Sequence, residues 1–441
     1  MAQGRTHRPL CFPEPSGSVP RNGARSAFSQ CGDKPRPYPR GEPVWEDADH
    51  ASALGRRRFF HRLSRGLIIP FLVLFVAAHV REGVPAAEPS RNPYEVVPRD
   101  CRLQFPQDHG EHPGFQTEWW YYTGNVRSAS GERFGFQLTF FRRQIAPSSE
   151  RDRWPHPASA WRTQQVYVAH AALSELTAGR FHQGEAVSRG AVGLAGVKQA
   201  AGETRVFLGN WETRITGESH QLTAFTPDFD LHLNLAPHKP PVLHGDAGYS
   251  LKGSTPEKAS CYYSFTRMGV SGSLKVAGRV IPVSGSAWMD HEFSSAPLEA
   301  VYVGWDWFSL QLDDDTELML YCMRKKDGSF GIPSSGTFVD ASGKSTRLRR
   351  DDFQVDSLDS WKSPHSGATY PSRWRLRVHP LQADLEVESN LSDQELRTGE
   401  STQVTYWEGS VSGRGTRLEK PVEVTGYVEL TGYAHPIEAL H

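Results

Sequence analysis

The sequence predicts an all-β protein with two consecutive antiparallel β-domains. Apolar and polar residues alternate with a period of two from about residue 117 onward, as at 134–140 and 229–235, which is typical of strands with one buried face. No stretch of ten or more residues keeps a 3.6-residue period. A content of 40 Gly, 31 Pro, 12 Trp, 14 Tyr and 22 Phe also favours strands and turns over helices.

The second half of the chain repeats the strand pattern of the first. Alternation returns at 308–312 and 374–387, and turn signals such as 326–328 separate the strands, as in antiparallel barrels or sandwiches. The strand-rich body of roughly 355 residues is too long for one ordinary barrel. We therefore predict one domain at 87–260 and a second at 261–441.

The charge balance excludes one class of partner. The 441 residues contain 49 basic and 50 acidic side chains, so no overall positive charge favours binding to nucleic acid. Basic residues exceed acidic ones in the first 86 residues, which leaves an acidic body.

The N-terminal residues predict export. Residues 1–55 are rich in Pro, Arg, Gly and Ser, so we expect a disordered extension, or a start site assigned too far upstream. Residues 56–86 contain a basic run, a short apolar run at 67–78 and a small-residue cleavage pattern, the order of a signal peptide. A secreted or periplasmic protein follows, by the Sec route or, given the arginine run at 56–58, the twin-arginine route. A retained membrane anchor is the alternative.

Cysteine chemistry is not predicted to carry the function. Cys101, Cys261 and Cys322 are the cysteines of the body, and their wide spacing fits neither a zinc site nor a disulfide framework. At most one bridge is expected, in an oxidising compartment, with one thiol left over.

The first candidate cluster lies at 112–124 and centres on Glu118. In an extended strand Glu118 and Trp120 share one face, whereas Trp119 and Tyr121 lie on the other. A carboxyl group among aromatic rings would have a raised pKa and suit a general acid. The alternative is a structural carboxylate paired with a buried Arg or a backbone amide.

The second cluster, at 286–293, is the densest group of ionisable residues. It places His291 between Asp290 and Glu292, an arrangement that could orient and charge an imidazole for acid–base work. The alternative is a turn at the end of a strand with a solvated histidine.

The third cluster combines Trp305, Asp306 and Trp307 with Tyr321, which could donate a proton or orient a substrate. The acidic run 313–315 between them does not have the spacing of a calcium loop, so we interpret it as a hairpin turn.

The remaining motifs are predicted to be structural. The segments 406–409 and 426–433 resemble closing strands. The histidines of the run His109-Gly110-Glu111-His112 could bind a metal as a pair, but we expect a solvated loop. A nucleophile elbow, a phosphate-binding loop, a dinucleotide fingerprint and a zinc-binding H-E-x-x-H helix are all missing from the sequence. We predict no metal site and no cofactor.

Four strings in order resemble the AttH and carotenoid 1,2-hydratase family, whose bacterial members are often labelled predicted secreted hydrolases. They are EWWYYTG at 118–124, PPVLHGD at 240–246, WMDHE at 288–292 and GWDW at 304–307. The resemblance extends from about residue 90 to the C-terminus. It implies two lipocalin-like β-barrel domains with an apolar pocket near their junction.

The family pattern also implies site residues, with two departures. In the carotenoid hydratases a His-x-Trp follows the Asp, and a later Tyr-x-Asp carries the proton donor. Here His291 and Tyr321 remain, but Phe293 and Met323 replace the Trp and the Asp. The proton would then come from Glu292, Asp306 or Glu118, with Asp290 and His291 moving protons. The aromatic residues implied to bind substrate are Trp119, Tyr121, Trp288, Trp305 and Trp307.

The resemblance implies acid–base water addition to a hydrophobic, isoprenoid- or lipid-like molecule. Such a reaction needs a carboxylic acid in a dry pocket and aromatic faces that stabilise a carbocation, but it needs no redox cofactor. The alternative is a noncatalytic periplasmic carrier of lipids or other hydrophobic molecules, associated with an ABC transporter.

Overall fold

A computed structural model describes residues 92–437 of the protein. The predicted extension at 1–55 and the predicted signal peptide at 56–86 lie outside the described residues. Within residues 92–437, strands and four short 3-10 turns form the regular structure, and none of the helices has the length and apolar character needed to span a bilayer. The all-β prediction is confirmed.

The first sheet, sheet A, has 13 strands and forms a nearly closed antiparallel barrel. Its strands are β1 (Thr117–Ser128), β2 (Arg133–Gln144), β3 (Gln165–Glu175), β4 (Arg180–Arg189), β5 (Ala195–Ala200), β6 (Glu203–Leu208), β7 (Trp211–Thr216), β8 (Ser219–Phe225), β9 (Phe229–Pro237), β10 (Val242–Leu243), β11 (Tyr249–Leu251), β12 (Ala259–Val276) and β13 (Arg279–Ser294). The path of the sheet is β4-β3-β2-β1-β13-β12-β9-β8-β7-β6-β5. The pairing of β1 with β13 brings the first and last long strands together.

The second sheet, sheet B, has 10 strands. They are β14 (Tyr302–Leu312), β15 (Glu317–Lys325), β16 (Ser335–Val339), β17 (Ser345–Leu348), β18 (Phe353–Lys362), β19 (Thr369–Val378), β20 (Ala383–Ser389), β21 (Glu395–Arg397), β22 (Thr405–Arg417) and β23 (Lys420–Leu430). The path is β17-β16-β15-β14-β23-β22-β20-β19-β18. Each sheet encloses its own apolar core, because alternate residues of every long strand point inward.

The chain passes from one sheet to the other between Ser294 and Tyr302. The predicted domain boundary lies at 260/261, but β12 and β13 pair with β9 and β1 of sheet A. Alternation alone does not reveal which sheet a strand joins, and the turn-rich segment before β12 is an excursion within sheet A.

One disulfide joins Cys101 to Cys261, and Cys322 is a buried free thiol. This confirms the prediction of a single bridge and one unpaired cysteine. The bridge attaches the segment before β1 to the start of β12.

Candidate active site at the junction of the two sheets

An aromatic layer fills the junction where the outer face of sheet A meets sheet B. Its buried members are Tyr121, Tyr262, Trp288, Trp307, Met319 and Tyr427, with Trp119, Trp305 and Tyr321 partly exposed beside them. Strand alternation produces this layer, because the residues that point away from the core of sheet A recur at every second position of β1, β12 and β13. The partly exposed residues mark its solvent-facing edge.

Asp290 is the centre of a hydrogen-bond network in this layer. It accepts hydrogen bonds from Trp288 Nε1 at 2.6 Å, from the Tyr262 hydroxyl at 2.8 Å and from the Ser264 hydroxyl. Trp307 Nε1 donates to the Tyr262 oxygen at 3.2 Å, so the hydroxyl proton of Tyr262 points to Asp290. Burial raises the pKa of Asp290 to about 7 although these donors act against the rise. The donors fix Asp290 as an acceptor.

A buried histidine, His244, contacts a member of this network. His244 Nε2 lies 2.6 Å from the Ser264 hydroxyl, and its Nδ1 lies 2.8 Å from the Thr337 hydroxyl of sheet B. Burial lowers the pKa of His244 to about 3, so the ring is neutral. The ring also packs on Tyr262 with centroids 4.2 Å apart. The string at 240–246 therefore contributes a positioning residue to which the sequence analysis assigns no role.

Two carboxyl groups face each other in the same layer. Glu408 of β22 and Glu429 of β23 are direct cross-strand partners, and like charges in that position repel. The Tyr121 hydroxyl donates to Glu408 Oε1 at 2.6 Å, and Trp305 Nε1 donates to Glu429 Oε2 at 3.1 Å. The other oxygen of Glu408 is buried and has no hydrogen-bond partner among the described residues.

The pair therefore favours a protonated state. Burial, and then repulsion from Glu429, raises the pKa of Glu408 well above its usual range. Burial also raises the pKa of Glu429 to about 7, with Asp290 and Glu292 adding to the effect. Because Glu429 is only partly buried, it is the member of the pair that a ligand at the edge of the layer can reach.

Glu292 has a different role, because it forms an ion pair. Its Oε1 lies 2.9 Å from Lys252 Nζ and also accepts a hydrogen bond from Ser260. The Lys252 ammonium lies 4.0 Å from the ring centroid of Tyr321 and 4.8 Å from that of Tyr262. A cation on these ring faces closes one side of the junction, and it holds Glu292 in an ion pair.

Three predicted catalytic residues, Glu118, His291 and Asp306, lie outside the junction. Glu118 and His291 point into the barrel of sheet A, where Glu118 is ion-paired with Arg142 at 2.8 Å. The largest effect on its pKa is burial, which raises it, but hydrogen bonds from histidines and the charge of Arg142 bring the pKa well below the usual range. The structure thus supports the structural alternative for Glu118, whose Oε1 lies 2.8 Å from His291 Nε2.

Asp306 lies on the inner face of sheet B rather than with Trp305 and Trp307. It lies 3.3 Å from Arg324 Nε and accepts a hydrogen bond from Tyr433 at 3.0 Å. Burial raises its pKa to about 6. Neighbours along a strand point to opposite faces, so Asp306 cannot serve a substrate that contacts the two tryptophans.

The histidines of 109–112 are also placed differently from the prediction of a solvated loop. His109 is buried, and its Nδ1 lies 2.7 Å from the Tyr263 hydroxyl. His112 is half-buried and stacks on Phe293 with centroids 3.7 Å apart. The loop before β1 folds over the end of the barrel instead of extending into water.

Glu408 and Glu429 are the site residues that sequence reasoning missed. Both lie in segments predicted to be purely structural, yet each follows an aromatic residue by two positions, as Asp290 follows Trp288. An aromatic-x-acid spacing puts both side chains on one face of a strand. The recurrence of this spacing in three strands is the signal that could have revealed them.

Two antiparallel β-barrel domains with acidic and aromatic side chains at their junction define a lipocalin-like protein with a candidate acid–base site. Residues 96–433 match the AttH-like family, and the chain belongs to that family. The predicted lipocalin-like fold and the resemblance to AttH are thereby confirmed.

Two solved structures are similar to the chain. The crystal structure of a protein assigned as AttH from Nitrosomonas europaea is 34% identical, covers 77% of this chain and 99% of its own, and has a TM-score of 0.67. Kievitone hydratase from Nectria haematococca is 16% identical, covers 78% of this chain and 97% of its own, and has a TM-score of 0.56. At that identity the second structure shows the shared fold alone. No curated protein matches the sequence.

Proposed function

We propose that the protein binds a hydrophobic, isoprenoid- or lipid-like alkene at the junction of its two sheets and adds water to it by acid–base catalysis. The facing carboxyl groups of Glu408 and Glu429 carry the proposal, because burial raises the pKa of both and so favours an acidic proton beside the aromatic layer. A shared fold with a protein named as a hydratase supports the same reaction class.

The proposed reaction balances without an oxidant or a reductant. Glu429 transfers its proton to one alkene carbon, which forms a C–H bond and leaves a carbocation at the other carbon. The faces of Trp305, Trp307 and Trp119 stabilise that cation. Water forms the C–O bond and gives up a proton to the carboxylate pair, which restores the starting state.

The roles of the other junction residues follow from their contacts. Asp290 holds Trp288 and Tyr262 in place through hydrogen bonds. The hydroxyl oxygen of Tyr262 in turn accepts a hydrogen bond from Trp307 Nε1 and so orients Trp307. A proton donor must be accessible to substrate, and Glu429 meets this condition better than the fully hydrogen-bonded Asp290.

The test is incubation of the purified protein with acyclic isoprenoids in water enriched in oxygen-18, followed by mass spectrometry. We expect a product heavier by one labelled water. Glu429→Gln should lower the turnover rate by a factor of about 10² to 10⁴, the usual contribution of a general acid. Ligand binding should remain. Glu423→Gln, an exposed substitution on the same strand, is the matched control.

Two results would contradict the proposal. If Glu429→Gln and wild type had equal turnover rates, Glu429 would not be the proton donor. A bound molecule that is extracted unchanged, with no labelled product from any isoprenoid, would instead indicate the alternative function, a carrier of hydrophobic molecules that serves an ABC transporter.

We also propose that the protein is exported to the periplasm or secreted. The disulfide between Cys101 and Cys261 supports this, because such bridges persist in oxidising compartments. The check is cell fractionation with thiol labelling and sequencing of the N-terminus. Full-length protein with reduced Cys101 in the cytoplasm would contradict export.

A further inference from the structure

Three potential metal ligands meet inside the barrel of sheet A, on the face of β1 and β13 opposite the junction. They are His112 Nδ1, Glu118 Oε1 and His291 Nε2, and the three atoms lie within 4.8 Å of one another. Glu118 and His291 are completely buried, and the side chain of His112 is 17% exposed. His112 is therefore the member of the group that contacts solvent.

The remaining atoms of these side chains are held by neighbours. His112 Nε2 donates to Asp108 at 3.2 Å, and His291 Nδ1 lies 3.1 Å from the Tyr263 hydroxyl. Metal-binding histidines usually have their second nitrogen fixed in this way, which orients the ring and selects the tautomer. Both imidazoles therefore present the correct nitrogen to a common point.

The two carboxylate oxygens of Glu118 have different partners. Its Oε2 accepts hydrogen bonds from Arg142 Nε at 2.8 Å and from the backbone N–H of His112 at 2.9 Å. Its Oε1 faces the two histidines at 2.7 and 2.8 Å. Glu118 and Asp108 place two carboxylates beside Arg142 and the two histidines.

We propose that His112, Glu118 and His291 bind a divalent first-row transition ion such as Zn²⁺. Two imidazoles and one carboxylate form a ligand set used for zinc and for other ions of this row. Three protein ligands leave a coordination position for a further group. The site is separate from the carboxyl pair of the proposed function and does not depend on it.

The experiment measures Zn²⁺ binding to the whole protein after treatment with a chelator, by competition with a chromophoric indicator. We expect one ion per chain, and binding weakened by at least about 100-fold in His112→Ala. Asp108→Asn keeps all three proposed ligands but changes the group that orients His112, and it should weaken binding by about 10- to 100-fold. His232→Ala, exposed on β9 of the same sheet, is the matched control and should bind as wild type does.

A second measurement distinguishes loss of the metal site from misfolding of the variants. Co²⁺ bound to wild type should give visible absorption bands of a four- or five-coordinate ion, and these bands should be lost in His112→Ala with an unchanged circular dichroism spectrum. Failure of wild type to bind Zn²⁺ would overturn the proposal. Equal Zn²⁺ affinity of His112→Ala and wild type would also overturn it, because the ion would then lie elsewhere.

Discussion

Glu408 and Glu429 face each other directly across β22 and β23, and Glu408 keeps one buried oxygen without a partner among the described residues. Two ionised carboxylates cannot occupy this position at low cost. The pair therefore favours a protonated carboxyl group within an apolar layer. Glu429, the accessible member, is held by Trp305 and faces Asp290 and Glu292 of sheet A.

The first prediction concerns the pH dependence of stability. The pKa of Glu429 is raised to about 7 in the folded state, so its contribution is complete below its unfolded pKa of about 4.3 and is lost as pH rises through 7. We expect wild type to lose roughly 2–3 kcal/mol relative to Glu429→Gln between pH 5 and pH 8. Denaturant unfolding at both pH values measures this difference.

The control for this experiment is Glu423→Gln on the same strand. Because this side chain is exposed, the free energy of unfolding of Glu423→Gln should differ from that of wild type by the same amount at pH 5 and at pH 8. If Glu429→Gln also followed wild type across this range, the carboxyl group of Glu429 would not be protonated in the folded protein.

Sequence patterns predicted which residues cluster but not which face of each sheet is enclosed. Alternation correctly separated Trp119 and Tyr121 from Glu118 and Trp120. It could not show that the tryptophan face meets a second sheet, since both faces of β1 are buried. That information depends on pairing across hundreds of residues, as between Tyr121 and Glu408.

The same limit explains the residues placed wrongly in one site. Asp290 and His291 are adjacent in sequence, and a cluster of ionisable residues suggests that they act together. In a strand they point to opposite sides, so one lies at the junction and the other inside the barrel. Family resemblance predicted the junction itself, because its motifs lie on the strands that form it.

The second prediction concerns Trp305, whose N–H lowers the pKa of Glu429. Trp305→Phe keeps an aromatic ring but removes this donor, so the pKa of Glu429 should rise further. Carbon-13 NMR of labelled glutamate carboxyl groups measures the titration directly. Trp361→Phe in β18 is the control, and an unchanged titration in Trp305→Phe would show that the hydrogen bond has no effect.

The third prediction concerns the buried ion pairs that link the two sheets. Lys239 Nζ lies 2.9 Å from Glu317 of β15, which also pairs with Arg267 of β12 at 2.6 Å. Glu317→Ala leaves two largely buried cations without their carboxylate partner, so we expect a loss of about 3–5 kcal/mol in the free energy of unfolding.

Denaturant titration measures the loss, with Asp230→Ala as the control. Asp230 pairs at 3.0 Å with Lys275, whose side chain is 53% exposed, and removal of such a partner should cost only about 0–1 kcal/mol. Equal effects of the two substitutions would mean that the sheets are held together by apolar packing rather than by Glu317.

The fourth prediction concerns the disulfide between Cys101 and Cys261, which are 160 residues apart. The bridge restricts the unfolded chain over a long loop, so its removal by Cys101→Ala with Cys261→Ala should cost about 2–5 kcal/mol. Thermal unfolding with and without dithiothreitol measures the effect. Cys322→Ala removes the free thiol and keeps the bridge, so its unfolding should remain sensitive to dithiothreitol, whereas the double variant should be insensitive. If dithiothreitol left the unfolding of wild type unchanged, the bridge would not contribute to the stability of the folded protein.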